Sequence, residues 1–204
     1  MEKVVVLANG SFPESDIPLG YLDNADIIIS CDGAVEKLVD RGLEPHAIVG
    51  DMDSISEELK ARYSVILYPD NNEDYNDLTK AVKYCMQKGY TDLVILGASG
   101  LREDHTLGNI SLLADYSEYV SVRMVTDNGI FFPVNSGDQI KSFHGQQVSI
   151  FSFMSKIKLT SDNLKYPLDK LLMDKLWTGT LNECISDYFS LYFEGSPIIV
   201  FLVF

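Results

Sequence analysis

Ala47-Ile48-Val49-Gly50-Asp51-Met52-Asp53-Ser54 runs from a short apolar stretch straight into two aspartates and a serine. Other acidic residues follow apolar runs in the same way. Asp32 comes after residues 26–31, Asp74 and Asp77 after 64–68, and Asp104 after 93–97. If these runs are parallel strands alternating with helices, the carboxylates all fall at one edge of one sheet. In open α/β sheets that edge is where ligands bind. Clustered carboxylates repel one another unless a cation lies among them. Hard oxygen donors favour Mg2+, which keeps several waters and also holds substrate phosphates. The pattern points to metal-assisted chemistry on a phosphorylated substrate.

The alternation extends through the first two-thirds of the chain. Short runs rich in β-branched residues occur at 4–8, 27–30, 47–49, 65–68, 93–96 and 120–126. Helical patterns lie between most of them. Residues 34–41 place Val35, Leu38 and Val39 on one face and stop at Gly42. Ser54-Ile55-Ser56-Glu57 has capping-box spacing and opens a short helix through Arg62, with Ser54 as the expected cap. Residues 74–88 carry Leu78, Ala81, Val82, Cys85 and Met86 at helical spacing, and 104–115 do the same with Leu107, Ile110, Ser111 and Leu113. This predicts an α/β domain over residues 1–128, a Rossmann-like, open, mostly parallel sheet with helices on both faces.

The pattern changes at Asp127-Asn128-Gly129, a turn signal. Strand-like runs follow at 130–134, 139–143, 147–153, 156–160, 187–193 and 198–204, and only 168–176 hints at helix. Residues 129–204 therefore read as a small all-β sandwich domain, with Trp177 expected in its core. A core that thin predicts docking or dimerisation through this part.

Composition narrows the function classes. A net charge of −14 over 204 residues argues against nucleic-acid binding, which requires a basic face. Nearly all of that excess precedes residue 129, and much of it reads as solvated helix surface. Three widely spaced cysteines form no metal or disulfide pattern and suit a reduced, cytoplasmic protein. The apolar start is too short for a signal-peptide core, and the apolar end is too short to span a bilayer, so no membrane association is expected.

Individual residues carry signals of different strength. Asp51 and Asp53, two apart past a strand, can face one metal ion. Asp74 and Asp77 are expected in one first helical turn, where acidic residues also simply complement the helix dipole. Asp77 is the better ligand candidate of the two, and Lys80 is either a surface lysine or a phosphate contact. Gly97-Ala98-Ser99-Gly100-Leu101-Arg102 joins a strand to a helix and fits neither the Walker A nor the dinucleotide spacing. Its glycines allow backbone N–H groups to approach phosphate, and Arg102 offers a planar fork. Asn9-Gly10-Ser11 adds further backbone donors or is a plain turn, and His105 is a phosphate contact, an acid–base group or a packing residue. No arrangement suggests covalent catalysis.

Taken in order, Cys31-Asp32-Gly33-Ala34, Gly50-Asp51-Met52-Asp53-Ser54, Asp74-Tyr75-Asn76-Asp77 and GASGLREDHTLGN at 97–109 resemble the thiamine pyrophosphokinase family. Looser matches follow at 145–150, 164–168 and 180–183. The resemblance implies transfer of the terminal pyrophosphate of ATP to the hydroxyl of thiamine, giving thiamine diphosphate and AMP. It also implies Asp51, Asp53 and Asp77 as Mg2+ ligands, with Asp32 and Asp104 orienting nucleotide, metal waters or the attacking hydroxyl. Phosphate contacts would come from Asn9, Gly10, Gly97, Gly100, Arg102 and His105. Thiamine contacts would come from Glu73, Thr180 and Asn182, in a homodimer whose β domain completes the partner's pocket.

The chain departs from the family pattern at five places. Leu101 stands where a second glycine is usual, Asn163 where glycine precedes Leu164, Leu181 where serine often precedes Asn182, and Glu73 where glutamine is common; the aromatic residue often found shortly after that asparagine has no match among Glu183, Cys184 and Ile185. These bear on the acceptor more than on the reaction. The competing readings are a pyrophosphokinase for another heterocyclic alcohol such as a hydroxymethylpterin, a non-catalytic nucleotide or thiamine sensor, and a metal-dependent phosphohydrolase.

Overall fold

The computed structural model describes residues 2–153 and 156–204. The chain divides into two compact units, Met1–Asn109 with Glu118–Asp127, and Ile110–Ser117 with Asn128–Phe204.

The first unit alternates strand and helix: β1 (Val4–Leu7), α1 (Asp16–Asp23), β2 (Ile27–Cys31), α2 (Val35–Asp40), β3 (Ala47–Gly50), α3 (Glu57–Arg62), β4 (Leu67–Pro69), α4 (Asp77–Gln87), β5 (Asp92–Leu96), the first half of α5 (Glu103–Tyr116) and β6 (Ser121–Val125). The sheet order is β6-β5-β1-β2-β3-β4, and every pairing is parallel. β1 and β3 are buried along their whole length. That is why they read as continuous apolar runs, as expected of strands covered on both faces. The chain steps outward from β1 to β4 and then returns to place β5 beside β1. Right-handed crossovers put the helices of the two legs on opposite faces. The reversal opens a crevice at the carboxyl ends of β1 and β5, the usual ligand position in such sheets.

Three local expectations change. Helix α3 is capped by Ser56, whose hydroxyl accepts from the Leu59 amide, while Ser54 donates to Asp53 instead. The true cap lies two residues beyond the serine that the S-x-x-E spacing singles out. Helix α4 starts at Asp77, capped by Asn76 through the Thr79 amide at 2.9 Å. Asp74 therefore lies outside the helix, and its amide donates to the Asn72 side chain at 2.9 Å. Helix α1 carries no strong periodic apolar pattern that would mark it in the sequence; only Pro18 and Leu22 are buried in it.

The second unit contains β7 (Gly129–Val134), β8 (Gln139–Lys141), β9 (Gln147–Phe151), β10 (Ile157–Asp162), β11 (Leu171–Met173), β12 (Gly179–Glu183), β13 (Tyr188–Tyr192) and β14 (Ile198–Val203). They pair antiparallel in the orders β12-β9-β14-β7 and β11-β10-β13-β8. Val148, Ile150 and Val200 from one sheet share a core with Leu159, Phe189 and Leu191 from the other, which makes a sandwich. The expected helix at 168–176 is replaced by strand β11. Leu168, Leu171, Leu172 and Leu176 imitate helical spacing, but pairing of Met173 with Ile157 decides the local structure. β12 escaped the sequence pattern because its ladder slips between Gly179 and Asn182. Trp177 is 68% exposed and is not a core residue.

Candidate active site

Two loops meet at the carboxyl ends of β1 and β5. The Gly10 amide donates to the Gly97 carbonyl at 2.6 Å, and the Ser11 amide donates to Ser99 at 2.8 Å. A Cβ on Gly10 would overlap the carbonyl oxygens of both Gly97 and Ser99, so only glycine allows this approach. The Gly10 amide is thus engaged inside the protein rather than turned to a ligand. Lys37, on α2, fixes the same loop by donating to the Gly10 carbonyl at 2.9 Å and to Asn9 Oδ1 at 3.2 Å. Gly97, Gly100 and Leu101 all adopt left-handed backbone, with φ of 64°, 71° and 60°.

The next strand ends supply the carboxylates. Asp32 is 2% exposed and accepts the Gly33 amide at 2.7 Å and the Met52 amide at 2.9 Å. Burial pushes its carboxyl above the usual carboxylate range, aided by the charges of Asp77 and Asp51 and opposed by the two amides. Met52 buries its side chain against Val35, Ile48 and Ile55. Anchored between them, it leaves Asp51 and Asp53 on the exposed side. The Asp53 amide donates to Asp51 at 3.1 Å and, with smaller contributions, holds the Asp51 carboxyl below its ordinary range. One carboxylate oxygen each from Asp32, Asp51 and Asp53 lies within 4.8 Å of the others.

Asp77 opens α4 and pairs with Lys80 at 3.0 Å. Burial alone would depress the Lys80 ammonium. The hydrogen bond and charge of Asp77, with Asp51 and Asp70 nearby, outweigh burial and raise it. Asn76 donates to Asn109 at 3.1 Å, and Asn109 donates to the Ala98 carbonyl at 2.9 Å. These two asparagines tie the start of α4 and the middle of α5 to the loop after β5. Arg102 grips Asp104 through two hydrogen bonds, at 3.1 and 2.5 Å. That contact holds the Asp104 carboxyl down at about 2.

A cavity of about 800 Å3 collects most of these groups. Asn9, Gly10, Asp51, Glu73, Asp77, Lys80, Gly100, Arg102 and His105 all line it. Asp32 and Asp53 join the set through the carboxylate cluster. Thr180 and Asn182 belong to the second unit, where their polar groups are engaged locally. Thr180 donates to the Trp177 carbonyl at 2.8 Å, and the buried Asn182 amide exchanges hydrogen bonds with the Tyr166 backbone at 2.8 and 3.1 Å. Asn76 and Asn109 stand inside the segments that resemble the family without a role assigned to them, and Lys37 stands outside those segments. Asn76 carried a usable signal, since asparagine before a periodic apolar run is a helix cap. Asn109 and Lys37 carried none, because only the tertiary structure brings their partners within reach.

Comparison with known proteins agrees over both units. Residues 19–126 match the family model described as "Thiamin pyrophosphokinase, catalytic domain", and residues 129–201 match "Thiamin pyrophosphokinase, substrate-binding domain". Thiamine pyrophosphokinase of Bacillus subtilis is 31% identical over 83% of this chain and 83% of its own length. Thiamin pyrophosphokinase 1 of Caenorhabditis elegans is 26% identical over 86% and 77%. Among solved structures, the B. subtilis thiamine pyrophosphokinase superposes with a TM-score of 0.78 at 24% identity, covering 98% of this chain and 97% of that one. Thiamin pyrophosphokinase from Candida albicans gives 0.79 at 20% identity, covering 98% and 88%. With both family models matched in sequence and the fold shared, the chain is an enzyme of the thiamine pyrophosphokinase family.

Proposed function

We propose that the protein transfers the terminal pyrophosphoryl group of ATP to the hydroxyl of thiamine in a Mg2+-dependent reaction, releasing thiamine diphosphate and AMP. The observation that carries this reading is the convergence of Asp32, Asp51 and Asp53 beside a cavity also lined by Asp77, Lys80 and Arg102. An all-oxygen donor set fits a hard divalent ion. Asp51 and Asp53 are the principal ligands in this reading, with Asp77 and the buried Asp32 completing the acidic set. When bound, such an ion neutralises charge that develops on phosphate oxygens during attack at the β-phosphorus.

The chain's own groups do the rest. The acceptor O–H gives its proton to water as its oxygen bonds to the β-phosphorus, while the bond from the β-phosphorus to the α–β bridging oxygen breaks and that oxygen departs with AMP. Arg102 presents a planar fork to the phosphates, and Asp104 holds that fork in place. Asp104 is a poor proton acceptor, because its pKa of about 2 makes protonation unfavourable near neutral pH. Lys80 supplies positive charge from the cavity wall, Asn9 and His105 add polar contacts, and Gly97 and Gly100 let the loop approach the phosphates. Glu73 lines the cavity and suits the amino group or the cationic ring of thiamine.

Thr180 acts on the thiamine side, with Asn182 holding the Tyr166 backbone beside it, in a homodimer whose β unit completes the pocket of the other copy. The β unit leaves Leu172, Leu176, Trp177 and Leu181 exposed at 44%, 43%, 68% and 79%, which supports a partner surface there. Three buried, unpaired cysteines suit a cytoplasmic setting. Among the described residues no helix is long and apolar enough to cross a membrane. Incubation with ATP, Mg2+ and either thiamine or a pterin alcohol, followed by chromatography and phosphorus NMR, tests the assignment. AMP with thiamine diphosphate is the expected result. ADP with thiamine monophosphate overturns pyrophosphoryl transfer, and free phosphate without acceptor indicates a hydrolase.

A further inference from the structure

We propose that Tyr75 and Leu101 form an apolar clamp for the adenine ring of the nucleotide, a role that rests on the ATP-dependent reading above. Asn9, Asn71, Asn72, Glu73, Asn76 and Asp77 form a polar stretch of the cavity wall. Such a surface holds phosphates and hydroxyls well but gives a flat heteroaromatic ring little to pack on. Among the described residues lining it, Tyr75 is the only phenylalanine, tyrosine or tryptophan. One face of its ring is covered by the Lys83 ammonium, 3.1 Å from the ring centroid. That cation–π contact orients the ring. Tyr75 remains 39% exposed and borders the cavity, so ring surface is left for a ligand.

Leu101 supplies the second surface. It is 71% exposed, lines the same cavity and sits at a φ of 60°. A branched side chain in the left-handed region is strained, and exposure denies it the burial that would offset the strain within its own unit. An apolar ligand removes that leucine from water. Arg102, the proposed phosphate fork, is the next residue along the chain. Ring contact at Leu101 and phosphate contact at Arg102 are therefore adjacent, which suits one molecule carrying both groups. That molecule is the nucleotide; the acceptor carries a ring but no phosphate before the reaction.

Isothermal titration with Mg2+ present separates ring from phosphate binding, using ATP, inorganic tripolyphosphate and thiamine as probes. Tyr75→Ala and Leu101→Gly should each raise the ATP dissociation constant roughly tenfold, the scale of losing one stacking partner. Tripolyphosphate and thiamine affinities should stay unchanged. Tyr75→Phe keeps the ring and should retain wild-type ATP affinity. Equal weakening of ATP and tripolyphosphate, or no weakening of ATP, overturns the clamp. Weakened thiamine binding with intact ATP binding overturns it as well, by assigning the ring surface to the acceptor. If the unaltered protein fails to bind ATP, the parent reading falls too; selective loss of the variant effects removes the clamp alone.

Discussion

Lys80 Nζ lies 3.0 Å from the Asp77 carboxylate, with the lysine side chain 5% exposed and the aspartate 40% exposed. A lysine placed by simple helical spacing is thus drawn into the wall of the acidic cavity, three residues from the carboxylate it neutralises. Replacing it by methionine keeps the stem's packing and removes the charge. Asp77 retains access to water, so the pair contributes only about 1 kcal/mol to stability. We expect Lys80→Met to leave the urea midpoint nearly unchanged and to lower kcat/KM roughly 100-fold, the scale of losing one transition-state charge contact. Steady-state kinetics alongside urea denaturation checks both; unchanged turnover would remove Lys80 from the site.

Asp53 is exposed, and its carboxylate accepts the Ser54 hydroxyl at 2.8 Å, a bond that an asparagine oxygen can also accept. Asp53→Asn also relieves repulsion within the cluster when no cation is present. The variant should therefore fold normally, with an equal or slightly higher Tm in metal-free buffer, and lose Mg2+-dependent turnover. Thermal melts with and without Mg2+, read beside turnover, test this. A variant that keeps full activity shows that Asp53 is not a ligand.

Asp32→Asn should behave in the opposite way. Both Asp32 oxygens accept backbone amides, from Gly33 and Met52. An asparagine offers one oxygen, and its NH2 would face the other N–H donor. Leaving a buried donor unmet costs about 1–3 kcal/mol. Denaturant unfolding should show that loss, and crystallography or amide exchange at Met52 should localise it. A fully stable Asp32→Asn protein would mean that the two amides find other partners.

The contrast between these two aspartates shows what the sequence can and cannot reveal. Apolar runs with acidic residues at their ends were enough to place Asp32, Asp51 and Asp53 at one sheet edge, because β2 and β3 are buried almost throughout and their residue types follow. The same logic does not distinguish a ligand from a strut. Asp32 and Asp53 look alike in the chain, yet one is buried beneath two amides and the other faces water. Leu101 and Asn163 were noted as departures from glycine, and both adopt left-handed backbone at φ of 60° and 61°. The sequence marked those positions but carried no sign of how a larger side chain would be accommodated. β11 failed for another reason: short edge strands depend on a partner, and Met173 gains its place only by pairing with Ile157.

The Arg102–Asp104 pair gives a pH prediction with a defined sign. Hydrogen bonds from Arg102 and from the His105 amide lower the Asp104 carboxyl to about 2, against an ordinary value of about 3.9. A depressed carboxylate pKa means the interaction contributes fully above the ordinary value and is lost as pH falls through about 2. Both side chains are largely exposed, so salt should weaken the contact. Carbon-13 NMR of the aspartate carboxyls should show one titrating near 2 at low salt. In Arg102→Ala the midpoint should move up toward the ordinary range, with the fold unchanged and phosphate binding weakened. A midpoint that stays low after the arginine is removed would assign the shift to the His105 amide alone and free Arg102 from its role as Asp104's partner.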